Sequence, residues 1–473
     1  MMRVKKLIFP VLVGVAGLVI LVASHGCGTR SGDTNVIFIS IDTLRADHLG
    51  CYGYARDTSP AIDRFAKRAI LCRNAFSHTP KTAPSHMSMF TSLHPTVHGV
   101  HMFKKELDPI LYVLDEKIKP LAEVLRENGY TCVAFTGGGN VGAGYGFDRG
   151  FEIYQTGKGH WQEGIDWIAA NRGKKFFIFF HTYVVHDPYY PPEPFYSMFD
   201  PDYSGGMLRP PGTERVWVTA QTYWDHVNIE DEKDVKQLVA LYDGEIRFMD
   251  ERLMQPLLRA LEELNLLKNS IVIFTSDHGE EFNEHGRFKH EQVYDELLHV
   301  PLLFRLPDRL AATIQPKEIS NQIRLIDIMP TILELLDVRT PTHTLQGTSL
   351  VPVFRGEEAG DRELYATRVI SSNRGKPFVR NYVLRLDGHK LIRNVNYKYR
   401  LNVPWEFYDL AADPGETRNL VSTDPDIIQR FRKRLFRLVS DNKKTREAGG
   451  YRYRSARFKS NSLEKLRALG YIQ

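Results

Sequence analysis

Two apolar runs dominate what this chain can fold into, because each ends in residues that can bind a metal ion. Residues 35–43 read Asn-Val-Ile-Phe-Ile-Ser-Ile-Asp-Thr and contain Asp42 at their end, and residues 271–279 end in Asp277, His278 and a glycine. Short continuous runs of β-branched and aromatic residues predict strands that are buried on both faces, as in parallel sheets. Open α/β sheets form their sites at the carboxyl ends of such strands. The sequence therefore predicts an α/β fold in which Asp42, Asp277 and His278 lie close together.

The stretch at residues 81–100 predicts a loop that becomes a short helix near Thr82. Pro84 fits a first helical turn, where its missing N–H costs nothing, and apolar residues then recur on one helical face. A helix N-terminus has free N–H groups and favours negative charge. The Thr82 hydroxyl is therefore a candidate nucleophile. The alternative is that Thr82 or Ser85 only caps the helix.

Together these stretches supply two carboxylates, one imidazole and one hydroxyl, a set that can surround a divalent metal ion. The predicted ligands are Asp42, Thr82, Asp277 and His278. A metal ion there would lower the pKa of the Thr82 hydroxyl and bind a substrate oxygen. Oxygen ligands suit calcium or manganese, and the imidazole favours zinc or manganese. We expect one ion, with zinc, manganese and calcium as the alternatives.

Five short motifs, in this order, resemble the sulfatase-like branch of the alkaline phosphatase superfamily. They are Ile-Asp-Thr-Leu-Arg-Ala-Asp at 41–47, Thr-Ala-Pro-Ser-His at 82–86, His-Asp-Pro-Tyr at 186–189, Ser-Asp-His-Gly at 276–279, and Tyr-Asp-Leu at 408–410 with Asp-Pro at 413–414. The resemblance covers nearly everything from Asn35 onward. It implies an alkaline phosphatase/sulfatase-like α/β fold, with a central mostly parallel sheet between helices and a small C-terminal α+β antiparallel subdomain.

The resemblance also implies roles for side chains outside the predicted metal site. His186 and His290 are expected to act with Thr82 as catalytic residues that contact the anion or the leaving group. Substrate contacts are expected from five further side chains, namely Ser85, His86, Asn140, His181 and Lys289. The glycine-rich loop before Asn140 has a second interpretation as a simple turn.

The chain departs from the family pattern at the nucleophile. Formylglycine-dependent sulfatases need Cys or Ser there, because an enzyme oxidises that side chain to an aldehyde, and this chain has Thr82. His86 stands where the family has an arginine, and Thr43 where it has a second aspartate. No formylglycine is therefore expected. A metal site with a threonine resembles lipoteichoic acid synthase and phosphoethanolamine transferases, which use the threonine oxygen directly on phosphorus.

The resemblance therefore implies a metal-dependent hydrolase of phosphate or sulfate esters, with phosphate esters favoured by Thr82. Two alternatives stay open. One is a transferase that moves a phospho-substituent onto an envelope lipid or glycan, and the other is an inactive, sulfatase-shaped binding protein. The expected substrate is a small-molecule ester or an envelope glycan or lipid ester. A net charge of only +5 and the lack of any known nucleic-acid motif argue against nucleic acid as a partner.

The first 34 residues predict export. Basic residues precede an apolar run at 7–23, which is typical of a secretory signal or an uncleaved membrane anchor. Cys27 and the small residue before it faintly resemble a bacterial lipoprotein cleavage site. We expect an exported protein of the bacterial cell envelope that is membrane-anchored, lipidated or periplasmic. The four cysteines form neither a zinc pattern nor a clear disulfide framework.

The remaining periodicity predicts the order of the other elements. Helices are expected at 60–70, 118–128, 235–265 and 427–439, with another opened by Asp327, and strands at 130–136, 175–183 and 300–304. Beyond about residue 356, short β-type runs alternate with turns. The predicted organisation is a signal or anchor with its linker at 1–34, a catalytic domain at 35–356 and a C-terminal subdomain at 357–473.

Overall fold

The computed structural model describes residues 34–103, 110–157, 160–207, 223–314, 317–358, 360–371, 377–395 and 403–457. The predicted signal or membrane anchor, up to residue 33, lies outside the described residues, as does the basic stretch beyond residue 457. Among the helices in the described ranges, none combines the length and the apolar character that crossing a bilayer requires.

Short strands are distributed along the whole described chain. They are β1 (Asn35–Ile41), β2 (Ile70–Phe76), β3 (His101–Phe103), β4 (Ile110–Val113), β5 (Thr131–Thr136), β6 (Ile153–Thr156), β7 (Phe176–Thr182), β8 (Ser270–Ser276), β9 (Glu281–Phe282), β10 (Phe288–Lys289), β11 (His299–Arg305), β12 (Glu318–Arg324), β13 (Leu364–Ser371), β14 (Pro377–Leu386), β15 (His389–Asn394), β16 (Trp405–Asp409) and β17 (Arg454–Arg457).

Eight of these strands form the central sheet, in the order β12-β2-β11-β8-β1-β7-β5-β6. β1 lies at its centre and pairs in parallel with β7 on one side and β8 on the other. Only β11 runs against its neighbours in this sheet, pairing antiparallel with β8 and with β2. The predicted mostly parallel sheet is therefore confirmed.

Both faces of this sheet are covered, as the continuous apolar runs predict. Val36 and Phe38 of β1 point into one core, while Ile37, Ile39 and Ile41 point into the other, and all five side chains are fully buried. Alternate residues of a strand face opposite sides, so a strand between two cores must be apolar throughout. Both predicted strands, β1 and β8, are of this kind.

Helices cover the two faces. They are α1 (Pro60–Ala66), α2 (Thr82–Thr91), α3 (Pro95–His98), α4 (Leu121–Glu127), α5 (His160–Asn171), α6 (Glu232–Met249), α7 (Gln255–Glu263), α8 (Asp295–Leu298), α9 (Asp308–Ala311), α10 (Ile328–Leu335), α11 (Val351–Arg355) and α12 (Pro425–Gly449).

The helix predicted at 235–265 is two helices, α6 and α7, joined by a π-helical turn at Asp250–Met254. Pro256 lies in the first turn of α7. Proline has no N–H for the bond to the carbonyl four residues before it, and its ring clashes there, so the helix locally widens. The turn keeps the two helices nearly continuous and directs Asp250 towards α1, where its carboxylate accepts bonds from the backbone N–H groups of Ala61 and Ile62, both 2.8 Å long.

A second, smaller sheet follows in the chain order β13-β14-β15-β16, and its strands pair antiparallel. The long helix α12 packs on one face of it through Ile428, Phe431 and Leu435. This confirms the predicted small C-terminal antiparallel unit. The chain then returns to the first part of the molecule, because β17 pairs with β4. The domain boundary near residue 356 stays a prediction.

A buried lysine joins this sheet to the main body. Lys390 of β15 has no exposed surface, and its Nζ lies 2.8 Å from Asp295 Oδ1 and 2.8 Å from Glu416 Oε1. Although burial opposes it, the two carboxylates raise the pKa of Lys390, so the ammonium stays charged. Removing one partner from such a buried group leaves uncompensated charge, which costs about 3–5 kcal/mol.

We therefore expect Lys390→Met to lower the thermal unfolding temperature strongly, because the cation shared by Asp295 and Glu416 would be lost and, among the described residues, only Arg385, 3.3 Å from Asp295, would remain. Differential scanning calorimetry measures the change. Lys433→Met is the matched control, since Lys433 is exposed on α12, and it should unfold like the unaltered protein. Equal unfolding temperatures for the two variants would contradict the role given to Lys390.

Candidate active site

The pairing of β1 with β8 brings two carboxylates together. Ile41 lies opposite Ser276 at the end of the register, so Asp42 and Asp277 emerge side by side at the carboxyl edge of the sheet. Ligand atoms of Asp42, Asp277 and His278 all lie within 4.8 Å of one another, and the three side chains are fully buried. The structure therefore assembles three of the four predicted metal ligands from two adjacent strands.

The donor atoms of this cluster fit a cation. Both carboxylate oxygens of Asp42, and Oδ2 of Asp277, are buried and accept no hydrogen bond from any described residue. Buried carboxylates without partners are strongly disfavoured unless a positive charge compensates them. Two oxygen ligands and one imidazole form a donor set that a divalent metal can use.

The charges around the two carboxylates differ. Burial alone would raise the pKa of Asp42, but neighbouring imidazoles lower it below its usual range. These imidazoles belong to His181, His186 and His278. Burial, together with the negative charge of Asp42, raises the pKa of Asp277. Two neighbouring buried carboxyl groups cannot both ionise without a cation, so this pair holds a proton where no metal compensates it.

The backbone next to Asp42 is held in a rare conformation. Thr43 has φ 56°, although β-branched residues strongly avoid the left-handed region. Several hydrogen bonds hold Thr43 in this conformation. Its backbone N–H donates to Asp277 Oδ1 at 3.3 Å, and its hydroxyl donates to the Asp42 carbonyl at 2.8 Å. Strain of this kind persists only where the surroundings enforce it, and it clusters at functional sites.

Thr82 opens α2, as the sequence predicts, and its side chain is buried beside the cluster. It is the first helical residue after Lys81, and its Oγ1 lies 3.4 Å from His278 Nε2. All ten residues of α2 are buried, so the helix is fixed against the core. The hydroxyl therefore lies at a helix N-terminus and next to the candidate metal ligands.

Ser85 and His86 lie one turn along α2 and contact the cluster from behind. The Ser85 hydroxyl donates to the backbone carbonyl of Asp277 at 2.7 Å. His86 Nδ1 lies 2.9 Å from the Thr82 carbonyl and 3.6 Å from Asp277 Oδ2, and its Nε2 lies 2.9 Å from Ser40 Oγ. Both side chains are thus held by protein groups, and their predicted contact with substrate stays a prediction.

Three more histidines surround the cluster. His181 Nε2 lies 3.4 Å from Asp42 Oδ2. The His290 ring centre lies 4.7 Å from that of His278 and 5.4 Å from that of His186. The structure therefore brings His181, His186 and His290 to the side of the site where the sequence places them.

The two outer histidines are held differently. His186 Nδ1 lies 2.7 Å from the carbonyl oxygen of Asp187, and His290 Nδ1 lies 3.1 Å from Glu280 Oε1. Burial, with the positive charges of Lys81 and His186, lowers the pKa of His290. Although burial opposes it, the carboxylates of Asp187, Asp42 and Glu280 raise the pKa of His186.

Asn140 and Lys289 are farther from the cluster. Asn140 Oδ1 accepts a bond from the Tyr145 hydroxyl at 2.9 Å, and its backbone N–H donates to the Tyr183 hydroxyl at 3.0 Å, as a structural turn would. Lys289 Nζ lies 3.0 Å from Asp187 Oδ2. These contacts do not place either side chain among the metal ligands, and their roles as substrate contacts stay predictions.

Sequence reasoning missed four charged residues near the site, namely Lys81, Glu280, Glu291 and Arg368. Burial and the charge of Asp187 raise the pKa of Glu280 to about 8. While Oε1 of Glu280 contacts His290, its Oε2 accepts a hydrogen bond from the Tyr189 hydroxyl. Glu291, next to His290, pairs with Lys81 at 2.8 Å and with Arg368 of β13. Proximity to the motifs is the only sequence signal, since Glu280, Lys81 and Glu291 each lie within two residues of a predicted site residue.

Comparison with protein-family models decides the family. The model described as Sulfatase matches residues 34–338, which is more than half of the chain. The chain belongs to the sulfatase family. A second model, described as N-sulphoglucosamine sulphohydrolase, C-terminal, matches residues 283–441. The predicted sulfatase resemblance is therefore confirmed at the level of the family.

Curated relatives of the sulfatase family align at modest identity. Arylsulfatase K from Bos taurus is 31% identical over 214 residues, which is 44% of this chain but only 38% of the relative's length. A Δ4,5-hexuronate-2-O-sulfatase from Bacteroides thetaiotaomicron is 23% identical over 427 residues, covering 83% of this chain and 85% of that relative.

Solved structures show the same fold. Phosphonate monoester hydrolase of Agrobacterium radiobacter superimposes with a TM-score of 0.66 at 20% identity, covering 86% of this chain and 96% of that one. A protein solved in complex with its substrate D-glucosamine-2-N,6-O-disulfate gives a TM-score of 0.69 at 20% identity, covering 88% and 98%. At this identity the likeness establishes the sulfatase fold.

If Asp277 is a metal ligand, Asp277→Ala should purify with much less divalent metal than the unaltered protein. Only Asp42, His278 and Thr82 would then remain to hold the ion, so it would bind more weakly. Elemental analysis of the purified protein measures the loss. Asp166→Asn, an exposed aspartate on α5, is the matched control and should keep its metal. Full metal content in Asp277→Ala would remove Asp277 from the site.

Proposed function

We propose that this sulfatase-family protein hydrolyses phosphate esters through a Thr82 nucleophile, at a metal site formed by Asp42, Thr82, Asp277 and His278. One observation carries the proposal: the Thr82 hydroxyl lies at a buried helix N-terminus, 3.4 Å from His278, beside two carboxylates, three of whose four oxygens accept no hydrogen bond from a described residue. A threonine cannot supply the aldehyde that formylglycine sulfatases use, so direct attack on phosphorus is favoured over sulfate chemistry. The predicted roles of the outer residues belong to the same proposal.

The bound metal ion would supply Lewis acidity, lowering the pKa of a bound hydroxyl and offsetting charge on the substrate oxygens. In the first step the Thr82 hydroxyl gives its proton to the neutral imidazole of His290, Thr82 Oγ1 forms a bond to phosphorus, and the bond from phosphorus to the leaving oxygen breaks. The leaving oxygen takes a proton from His186, the outer histidine whose pKa is raised. In the second step water gives one proton to His186 and adds to phosphorus, the bond to Thr82 Oγ1 breaks, and this oxygen takes its proton back from His290.

The protein contributes three things to these steps. The N-terminus of α2 stabilises negative charge that develops near Thr82, because its free N–H groups point outward. Glu280 holds His290 by its Nδ1, which fixes the ring orientation. Burial of the whole cluster excludes bulk water, so each of these interactions acts in a medium of low dielectric constant.

The test combines a substrate panel with variants of Thr82. Aryl phosphate monoesters, aryl phosphate diesters and aryl sulfates are compared with a divalent metal present, and we expect turnover of the phosphate esters. Thr82→Ala should fold normally, since Thr82 is the first helical residue and the helix start has no side-chain cap to lose. Its turnover should nevertheless fall by about 10³-fold or more, because the covalent route is lost.

Thr82→Ser is the matched variant, and it should keep partial activity because a primary hydroxyl can still attack. Mass spectrometry of enzyme quenched during turnover should show added phosphate on the peptide that contains Thr82. An unmodified Thr82 together with a fully active Thr82→Ala variant would exclude the mechanism. Turnover of aryl sulfates alone would exclude the phosphate assignment, and no turnover of any ester would favour an inactive binding protein.

The proton-donating role of His186 has a distinct signature. His186→Ala should slow esters of aliphatic alcohols by about 10²-fold, while 4-nitrophenyl esters, whose leaving group needs no proton, lose much less. Steady-state kinetics on both ester types measures the difference. His160→Ala, on α5, is the control and should leave both rates unchanged. Equal losses on both ester types would argue against proton donation.

We also propose that the protein is exported, as the basic and apolar N-terminal residues indicate. An acceptor alcohol in place of water would make the same site a transferase, and the acceptor lipid or glycan would decide this. Product analysis in the presence of envelope lipids distinguishes the two reactions, since transfer gives a new phospho-substituted acceptor.

A further inference from the structure

A cavity lined by arginines lies between α1, α7 and the end of β11. Its volume is about 380 Å³, within the range of small-molecule sites. We call it the arginine cavity. Four arginines line it, namely Arg64, Arg68, Arg259 and Arg305. Glu262 is the one acidic side chain among the described lining residues.

Arg305 is the buried member of this group. Only 7% of the surface of Arg305 is exposed. Its Nη2 donates a hydrogen bond to Asp308 Oδ1, 2.6 Å long. Its Nη1 is buried and has no hydrogen-bond acceptor among the described residues. A buried donor without an acceptor is costly, so an acceptor brought by a ligand would stabilise it.

The exposed arginines leave the cavity with excess positive charge. Arg68 pairs with Glu262 at 2.6 Å. Arg64 and Arg259 form no ion pair with any described residue. The four guanidinium groups therefore face one lining carboxylate, and two of them have charge to spare for a ligand. Guanidinium groups bind sulfate and phosphate oxygens in pairs of hydrogen bonds.

Most of the remaining lining residues are apolar. Phe65, Ala61, Leu258 and Leu267 contribute to it, and Gln255 adds one neutral polar side chain. An apolar wall with cations around it suits a small organic molecule that carries anionic groups on a carbon skeleton, rather than a solvated inorganic ion alone. A flat, solvated row of arginines would offer neither the concave volume nor the apolar wall.

The arginine cavity is remote from the candidate metal site. Arg305 pairs with Val272 near the start of β8, whereas Asp277 follows the end of that strand. At about 3.3 Å per residue, the five residue steps from Val272 to Asp277 separate the two sites by roughly 17 Å along the sheet. A ligand in the cavity would therefore bind at the opposite edge of the sheet, without competing with an ester at Thr82.

We propose that the arginine cavity is a second binding site, for a small organic polyanion that carries two or more sulfate or phosphate groups. One anionic group accepts from Arg305 Nη1 and its neighbours at the buried end, and a second pairs with Arg64 and Arg259 at the open end. The carbon skeleton packs on Phe65. This site is distinct from the ester site and does not depend on the reaction proposed for it.

Isothermal titration calorimetry of the full protein tests the proposal with two probes, pyrophosphate and D-glucosamine-2-N,6-O-disulfate. The double variant Arg64→Gln/Arg259→Gln should weaken binding of at least one probe by about tenfold or more, since two charge-assisted contacts are lost. Both positions are exposed, so the fold should persist, and the rate on aryl esters should be unchanged. The probe that responds shows whether phosphate or sulfate is preferred.

The matched control is Arg252→Gln/Arg437→Gln, which removes the same net charge from exposed positions outside the cavity. It should bind both probes like the unaltered protein. Equal weakening in the two double variants would show nonspecific attraction and overturn the site. The proposal also fails if the unaltered protein binds neither probe at millimolar concentration, or if Arg64→Gln/Arg259→Gln binds both as tightly as the control.

Discussion

The parallel pairing of β1 with β8 is the constraint on which the site depends, because it forces two buried carboxylates together. Asp42 and Asp277 follow paired strand ends, and the hydrogen bond from Asp42 N–H to the Thr182 carbonyl, 3.0 Å long, extends the pairing on the other side. The strained Thr43 and the bond from Leu44 N–H to Ser276 Oγ, 3.0 Å long, fix the chain just beyond. Neither carboxylate can move away to relieve the repulsion. The fold thus stores an unfavourable arrangement that a bound cation would relieve.

The sequence predicted what depends on local pattern. The continuous apolar character of β1 and β8 identified both strands and the residues at their ends. β2 was not predicted, because Arg73 and Asn74 interrupt its apolar run at a place where the sheet pairs with β12. Similarly, periodicity showed one long helix at 235–265, whereas Pro256 imposes the π-helical turn that only the backbone geometry reveals.

The site was predictable as far as motifs extend, and less so where partners are distant in the chain. Thr82, Asp42, Asp277 and His278 come together because strand and helix ends meet at one edge of a parallel sheet. One partner of Glu291, by contrast, is Arg368, 77 residues away on the C-terminal sheet. No periodicity links such residues. The arginine cavity is hidden for the same reason, since Arg64, Arg259 and Arg305 belong to three separate elements.

Those distant contacts show what the C-terminal sheet does for the site. The segment from His290 to Leu298 carries no regular structure apart from the short α8, so something else must fix it. Arg368 binds Glu291, and Lys390 and Arg385 both bind Asp295. Tyr294 donates to Glu406 of β16 at 2.8 Å. Each of these four partners comes from the antiparallel sheet. The orientation of His290 beside His278 therefore rests on that sheet as much as on Glu280, and loosening the sheet would disturb the site without touching a metal ligand.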